Sequence, residues 1–116
     1  ALFYHLKLSL CQVYNCHLVI GNQVTPVMEQ KSQAGFLKRT KDWVKAGLKD
    51  GTLECFYSFP TGGGFFIIIA DSHEDLMEKL TDCPIGPLSE FEVQPICDFG
   101  KATDITLKKL KNLGLI

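Results

Sequence analysis

Phe65-Phe66-Ile67-Ile68-Ile69-Ala70 is apolar at every position. A β-strand turns alternate side chains to opposite faces, so a sheet with one wet face alternates apolar and polar residues. This run does not alternate, and neither face of a strand built from it tolerates water. In an α+β chain of 116 residues, helices can cover one face of the sheet. The other face needs a different cover, and a second copy of the same sheet is the cover expected. The run therefore predicts a dimer with a cavity between its sheets.

Elements can be laid out on both sides of this strand. Upstream, Thr52 to Phe59 reads as a strand, and Pro60-Thr61-Gly62-Gly63-Gly64 as the turn that joins it to Phe65–Ala70 in a hairpin. Before the hairpin, Thr25-Pro26 reads as a helix start, with Thr as N-cap and Pro at the first helical position. That helix is expected to run to about Lys49, with Val27, Phe36, Leu37, Trp43, Val44 and Leu48 buried and Asp50-Gly51 as its end. Downstream, Ser72 caps a second helix with Asp75 at the third position, and Leu76, Met77 and Leu80 face inward. Phe91 to Asp98 reads as a further strand. Lys101 to Leu113 reads as a terminal helix whose stripe of Ile105, Leu107, Leu110 and Leu113 needs a groove, for which a partner subunit is one source. At the start, Phe3 to Leu10 alternates cleanly, with Tyr4, Leu6, Leu8 and Leu10 against His5, Lys7 and Ser9, and is expected as the first strand. Val13 to Ile20 is also β-prone and extends a hairpin or forms an irregular loop.

The order is β-α-β-β-α-β plus a tail, the split βαβ or ferredoxin-like pattern, with an antiparallel sheet and both helices on one face. The expectation is one domain over residues 1–116, with a core over about 2–98 and a helical extension over about 101–113.

Composition narrows the partners. The formal net charge is −1, with no basic excess to hold a phosphate backbone, so nucleic acid is not expected. No apolar run approaches the roughly 20 residues that span a bilayer, so no membrane is expected either. The five cysteines, Cys11, Cys16, Cys55, Cys83 and Cys97, are odd in number and scattered. They read as free thiols in a reducing compartment, not as a disulfide framework or a zinc site. Leu8-Ser9-Leu10-Cys11 lacks the leader of a lipoprotein cleavage site, and a cytoplasmic protein is expected.

Two stretches resemble a known family. Leu2-Phe3-Tyr4-His5-Leu6-Lys7 is similar to the opening strand of muconolactone isomerases. Cys83-Pro84-Ile85-Gly86-Pro87-Leu88-Ser89-Glu90-Phe91-Glu92-Val93 resembles that family's late Leu-Pro-Leu-x-Pro stretch and the acidic-apolar strand that follows it. The element order agrees over roughly residues 2–98. The first helix and the hairpin depart from the family's pattern, and Gly62-Gly63-Gly64, residues 11–24 and the helical tail are this chain's own. The resemblance implies a dimeric α/β barrel, a homodimer or a higher even oligomer. It also implies cofactor-free and metal-free movement of a double bond in a small lactone or organic acid by proton transfer. By position, His5, Lys7 and Glu92 carry over.

Alternation gathers a candidate site independently. It puts His5, Lys7 and Ser9 on one face of the first strand. It puts Thr52, Glu54, Phe56 and Ser58 together on the second strand, and Glu92, Gln94 and Asp98 together on the fourth. With the first strand beside the fourth, His5 or Lys7 meets Glu92 or Gln94. Partial burial would shift these groups into acid/base range. Glu54 or His5 is then the candidate base and Lys7 the anion holder, with Glu92, Gln94 and Phe56 binding substrate. A polar strand face is also what a solvated or interface face looks like. The competing reading is therefore a non-catalytic dimeric assembly or regulatory module. The glycine turn is no P-loop, because no Gly-Lys-Ser/Thr follows it. It reads as a hairpin tip, with a lid over a cavity mouth as the alternative.

Overall fold

The computed structural model describes residues 15–23 and 30–116. Its strands are β1 (Asn15–Gln23), β2 (Leu53–Ser58), β3 (Gly64–Ala70) and β4 (Ser89–Ile96). Its helices are α1 (Gln30–Asp50), α2 (His73–Asp82) and α3 (Phe99–Asn112), with a single 3-10 turn at Gly86–Leu88. The strands form one antiparallel sheet in the order β2-β3-β1-β4. This is the α+β, ferredoxin-like arrangement expected from the sequence, with a C-terminal helix.

The segment in the central position differs from the one expected. The expected first strand, Phe3–Leu10, and the expected helix start, Thr25-Pro26, lie outside the described residues. The strand between β3 and β4 is Asn15–Gln23, which places Val19 opposite Phe66 on one side and Val93 on the other. A strand hydrogen-bonded on both edges in the middle of a covered sheet is apolar on both faces. Cys16-His17-Leu18-Val19-Ile20 fits that position, whereas a cleanly alternating segment suits a half-wet strand.

The register sorts the sheet into two faces. His17, Val19 and Gly21 of β1 share a face with Ile68, Phe66 and Gly64 of β3 and with Pro95, Val93 and Phe91 of β4. Both helices pack here. Val19, Leu53, Phe66, Ile68, Ala70 and Leu76 form the buried cluster, with Trp43, Val44 and Leu48 of α1 and Leu80 of α2 against it. Cys16, Leu18 and Ile20 share the opposite face with Ile69, Ile67 and Phe65. The quoted run is thus apolar on both sides of the sheet, as a central strand must be.

β2 breaks the expected alternation. A register shift lies between Leu53, opposite Ile68, and Cys55, opposite Ile67. The extra residue is Glu54. A β-bulge sets two residues against one and re-aims the side chains beyond it. Leu53 and Phe56 consequently both face the helices, and Thr52, Glu54, Phe56 and Ser58 do not form one polar face.

The helices follow their local signals. The Ser72 hydroxyl accepts from the Asp75 N–H at 3.0 Å, as the cap pattern predicts. The Asp75 carboxylate reaches one residue further back than a capping box requires and accepts from the Asp71 N–H at 2.9 Å. The Lys79 ammonium donates to it at 2.8 Å and also to the Ile69 carbonyl at 2.9 Å, tying α2 to β3. Gly47 faces Leu53, where a methyl would come within 2.7 Å of the Leu53 side chain, so α1 approaches β2 closely. Leu37 and Met77 were expected inside and are exposed. Asp98 was expected in a strand and instead caps α3, accepting from the Lys101 N–H at 3.0 Å. Cys16 is disulfide-bonded, which corrects the expectation of free thiols throughout; Cys55, Cys83 and Cys97 are thiols, not disulfide-bonded.

The pair at Asp75 sets a pH dependence. The Lys79 hydrogen bond first, and then the Asp71 N–H, hold its carboxyl below the ordinary carboxylate range. A depressed folded-state value stabilises the fold above the unfolded-state pKa, and that contribution is lost as pH falls through the folded-state value. Asp75→Asn is expected to be less stable than the parent chain at neutral pH. Urea titrations at decreasing pH should show the gap closing as the carboxylate protonates; a gap independent of pH would contradict the assignment.

Candidate functional site

Phe66 stands at the centre of the helix-covered face and carries an aromatic cluster. The Phe56 ring stacks on it at 5.0 Å between centroids and 5° between planes. Trp43 meets it edge-on at 5.9 Å and 78°, and Phe91 does so at 5.9 Å and 89°. Each such pair adds roughly 0.5–1.5 kcal/mol beyond the area it buries.

Beside the cluster lies a cavity of about 580 Å³ between α1, the sheet and the hairpin turn. Phe56, Phe66 and Phe91 form its apolar floor, and Leu37 and Val44 of α1 line the other wall. Lys41 and Lys45, one helical turn apart and both exposed, line the same wall, as do Thr40, Ser58 and Ser89. The Thr40 hydroxyl is already engaged, donating to the Phe36 carbonyl at 2.8 Å. Neither lysine has an ion-pair partner among the described residues. An apolar chamber of a few hundred cubic ångströms with few polar groups is the usual form of a small-molecule site.

Gly62-Gly63-Gly64 closes one side of this cavity. The turn is fastened by Phe59 N–H to Gly63 carbonyl at 2.9 Å and Gly62 N–H to Phe59 carbonyl at 3.0 Å. Gly63 has φ +75°, and a side chain on it would strike the Gly21 carbonyl of β1. The glycine is therefore required both by conformation and by close approach.

The residues proposed from the sequence do not gather here as a set. Phe56 lines the cavity. Glu54 sits at the bulge, half-buried, two positions before Phe56. Glu92 and Gln94 are exposed and pair with Ile20 and Leu18 of β1, on the sheet face opposite the cavity. Their neighbour on β1 is thus not the segment that carries His5 and Lys7, and those two residues lie outside the described ones. His17 lies on β1 on the helix side, with Nδ1 buried and unpartnered among the described residues. Burial pushes the Cys83 thiol up, which makes it a poor nucleophile. No group of three or more His, Cys, Asp or Glu side chains among the described residues could hold a metal ion. Sequence reasoning missed Lys41 and Lys45. Their spacing of four beside Leu37 and Val44 was the available signal.

The arrangement defines a ferredoxin-like α+β protein with a ligand-sized cavity between its helices and its sheet. Among solved structures it is similar to a crystal structure of muconolactone isomerase determined at 3.3 Å. The TM-score is 0.65 with 16% sequence identity, over 72% of this chain and 88% of that one. The chain thus has a muconolactone isomerase-like fold. No protein-family model matches the sequence, and no curated protein matches it.

The turn that borders the cavity yields a stability prediction. Gly63→Ala combines left-handed strain with a collision against Gly21 and is expected to cost roughly 1–3 kcal/mol. Gly62→Ala carries positive-φ strain too, at φ +110°, but nothing lies within 4 Å of the added methyl, so without the collision it should cost less. Chemical denaturation of the two variants should rank them in that order, and equal losses would show that the collision with Gly21 adds nothing to the backbone strain.

Proposed function

We propose that the protein binds a small, largely apolar organic acid or lactone in the cavity between α1 and the sheet. The observation that carries this reading is a space of about 580 Å³ lined by the Phe56, Phe66 and Phe91 rings and by the cationic side chains Lys41 and Lys45. Rings suit a compact hydrocarbon body, and unpaired cations suit a carboxylate or a polarised carbonyl.

Proton-transfer isomerisation without a cofactor is the finer version, favoured by the fold shared with muconolactone isomerase. In it, Glu54 or His5 is the base, Phe56 packs the substrate, and Lys7 or the α1 lysines hold the developing negative charge. Glu92 and Gln94 fit a role at the other sheet face better than one in the cavity. That face, with Leu18, Ile20, Phe65 and Ile67, supports pairing with a second copy. A dimeric assembly module that uses only this pairing is the competing function. Among the described residues no helix is long and apolar enough to cross a membrane. The disulfide at Cys16 favours an oxidising compartment over the cytoplasm that free thiols implied.

Calorimetric titration with monocyclic carboxylic acids, their amides and γ-lactones tests the binding. The acids should bind more tightly than the amides. Lys41→Ala/Lys45→Ala should erase about a tenfold preference for the acid, while Phe56→Ala weakens acid and amide alike. Failure of every ligand to bind at millimolar concentration would leave the assembly module standing. The chemistry has its own test in deuterium exchange at the ligand's α-carbon, followed by NMR in D2O. Glu54→Gln should stop exchange and keep binding; unchanged exchange in that variant removes Glu54 as the base.

A further inference from the structure

α3 closes its own ends. At the start, the Asp98 carboxylate accepts from the Lys101 N–H at 3.0 Å, and the Asp98 carbonyl accepts from the Ala102 N–H at 3.0 Å. At the finish, Gly114 takes φ +73°. Its N–H donates to the Lys111 carbonyl at 3.0 Å, and the Leu115 N–H donates to the Leu110 carbonyl at 3.0 Å. This pair of bonds is the Schellman closure, which satisfies carbonyls that the end of a helix leaves open. The helix nevertheless buries none of its residues. Phe99 is 84% exposed, Leu113 62% and Ile116 71%.

Its side chains sort by angle. At about 100° per residue, Phe99, Ala102, Thr106, Leu107, Leu110 and Leu113 share a stripe about 140° wide. The Thr106 hydroxyl donates to the Ala102 carbonyl at 3.1 Å, so it brings no unpaired polar group to the stripe. Ala102 and Leu110 are half-covered, and the other four are exposed. Lys109 borders the stripe on the Ala102 edge and Lys111 borders it on the Leu107 edge, so residues two apart stand on opposite flanks. Lys108 and Asp104 lie on the back of the helix, and Ile105 falls outside the stripe beyond Lys109.

Cations on both flanks decide what covers the stripe. A groove with one acidic rim would meet one of these lysines and leave the other without a partner. A flat anionic surface meets both. Lysine stems lie along apolar surface while their ammonium groups stay in water, which at a lipid interface sets both charges at headgroup level. Among the described residues no helix can cross a membrane, but lying on one needs only a stripe and its flanking cations. Residues 99–116 hold four lysines and one aspartate, a net +3. The whole chain is −1, so residues 1–98 carry −4 and the same surface repels them. Contact is thereby confined to α3, and at physiological salt the repulsion fades beyond about 8 Å.

We propose that α3 lies flat on an anionic lipid surface, with the Phe99–Leu113 stripe in the headgroup boundary and Lys109 and Lys111 on the lipid phosphates to either side. No α3 residue lines the cavity between α1 and the sheet, so this surface stands apart from the binding reading above.

The test co-sediments the full-length protein with vesicles of phosphatidylcholine alone, or of phosphatidylcholine mixed with phosphatidylglycerol, at about 0.1 M salt. The protein should partition onto the mixed vesicles only, and less as salt rises. Lys109→Gln and Lys111→Gln should each weaken partitioning about fivefold, and Lys108→Gln about twofold or less. Phe99→Ser/Leu113→Ser, at two exposed positions, should weaken it about tenfold or more. No partitioning, equal partitioning onto neutral vesicles, equal losses from all three lysines, or indifference to Phe99→Ser/Leu113→Ser would each overturn the proposal. So would a fall in the lipid-free sedimentation coefficient of the Phe99→Ser/Leu113→Ser variant, because a second copy would then occupy the stripe.

Discussion

Phe66 is the side chain on which the rest of the structure depends. Opposite Val19, it fixes the register of the central strand. Stacked on Phe56 and met edge-on by Trp43 and Phe91, it joins β2, α1 and β4 in one contact set. Because strand side chains alternate, a one-residue slip of β3 would send Phe66 to the opposite face and empty the centre of the core. The same ring is the floor of the cavity. Fold and candidate site are therefore one packing problem here, and the site inherits the rigidity of the core.

Much of the fold could be read from the chain because its strongest signals are local. The all-apolar β3, the glycine turn and the Ser72 cap each state their own conformation, and each appears where it was expected. The central strand was harder for a physical reason. Phe3–Leu10 alternates and attracts attention as a strand, but alternation marks a half-wet strand. The segment that occupies the centre, Cys16 to Ile20, is apolar on both faces except at His17, which interrupts the signal that made β3 recognisable.

The site was less legible because it depends on long-range geometry. A single bulge at Glu54 turns Phe56 onto the helix side, and no periodicity rule places a bulge in advance. Glu92 and Gln94 were correctly grouped on one face of β4, yet that face looks away from the cavity. Lys41 and Lys45 escaped notice because a lysine pair on a helix is ordinarily a solvated face. Only the tertiary position of α1 over the phenylalanines makes them part of a wall.

Phe91 lines both the cavity and a groove between α2 and the 3-10 turn. Its ring is a partition between the two. The ring meets Phe66 edge-on and lies against Gly21 of β1, where any side chain would crowd it, so β1, β3 and β4 together hold the partition in place.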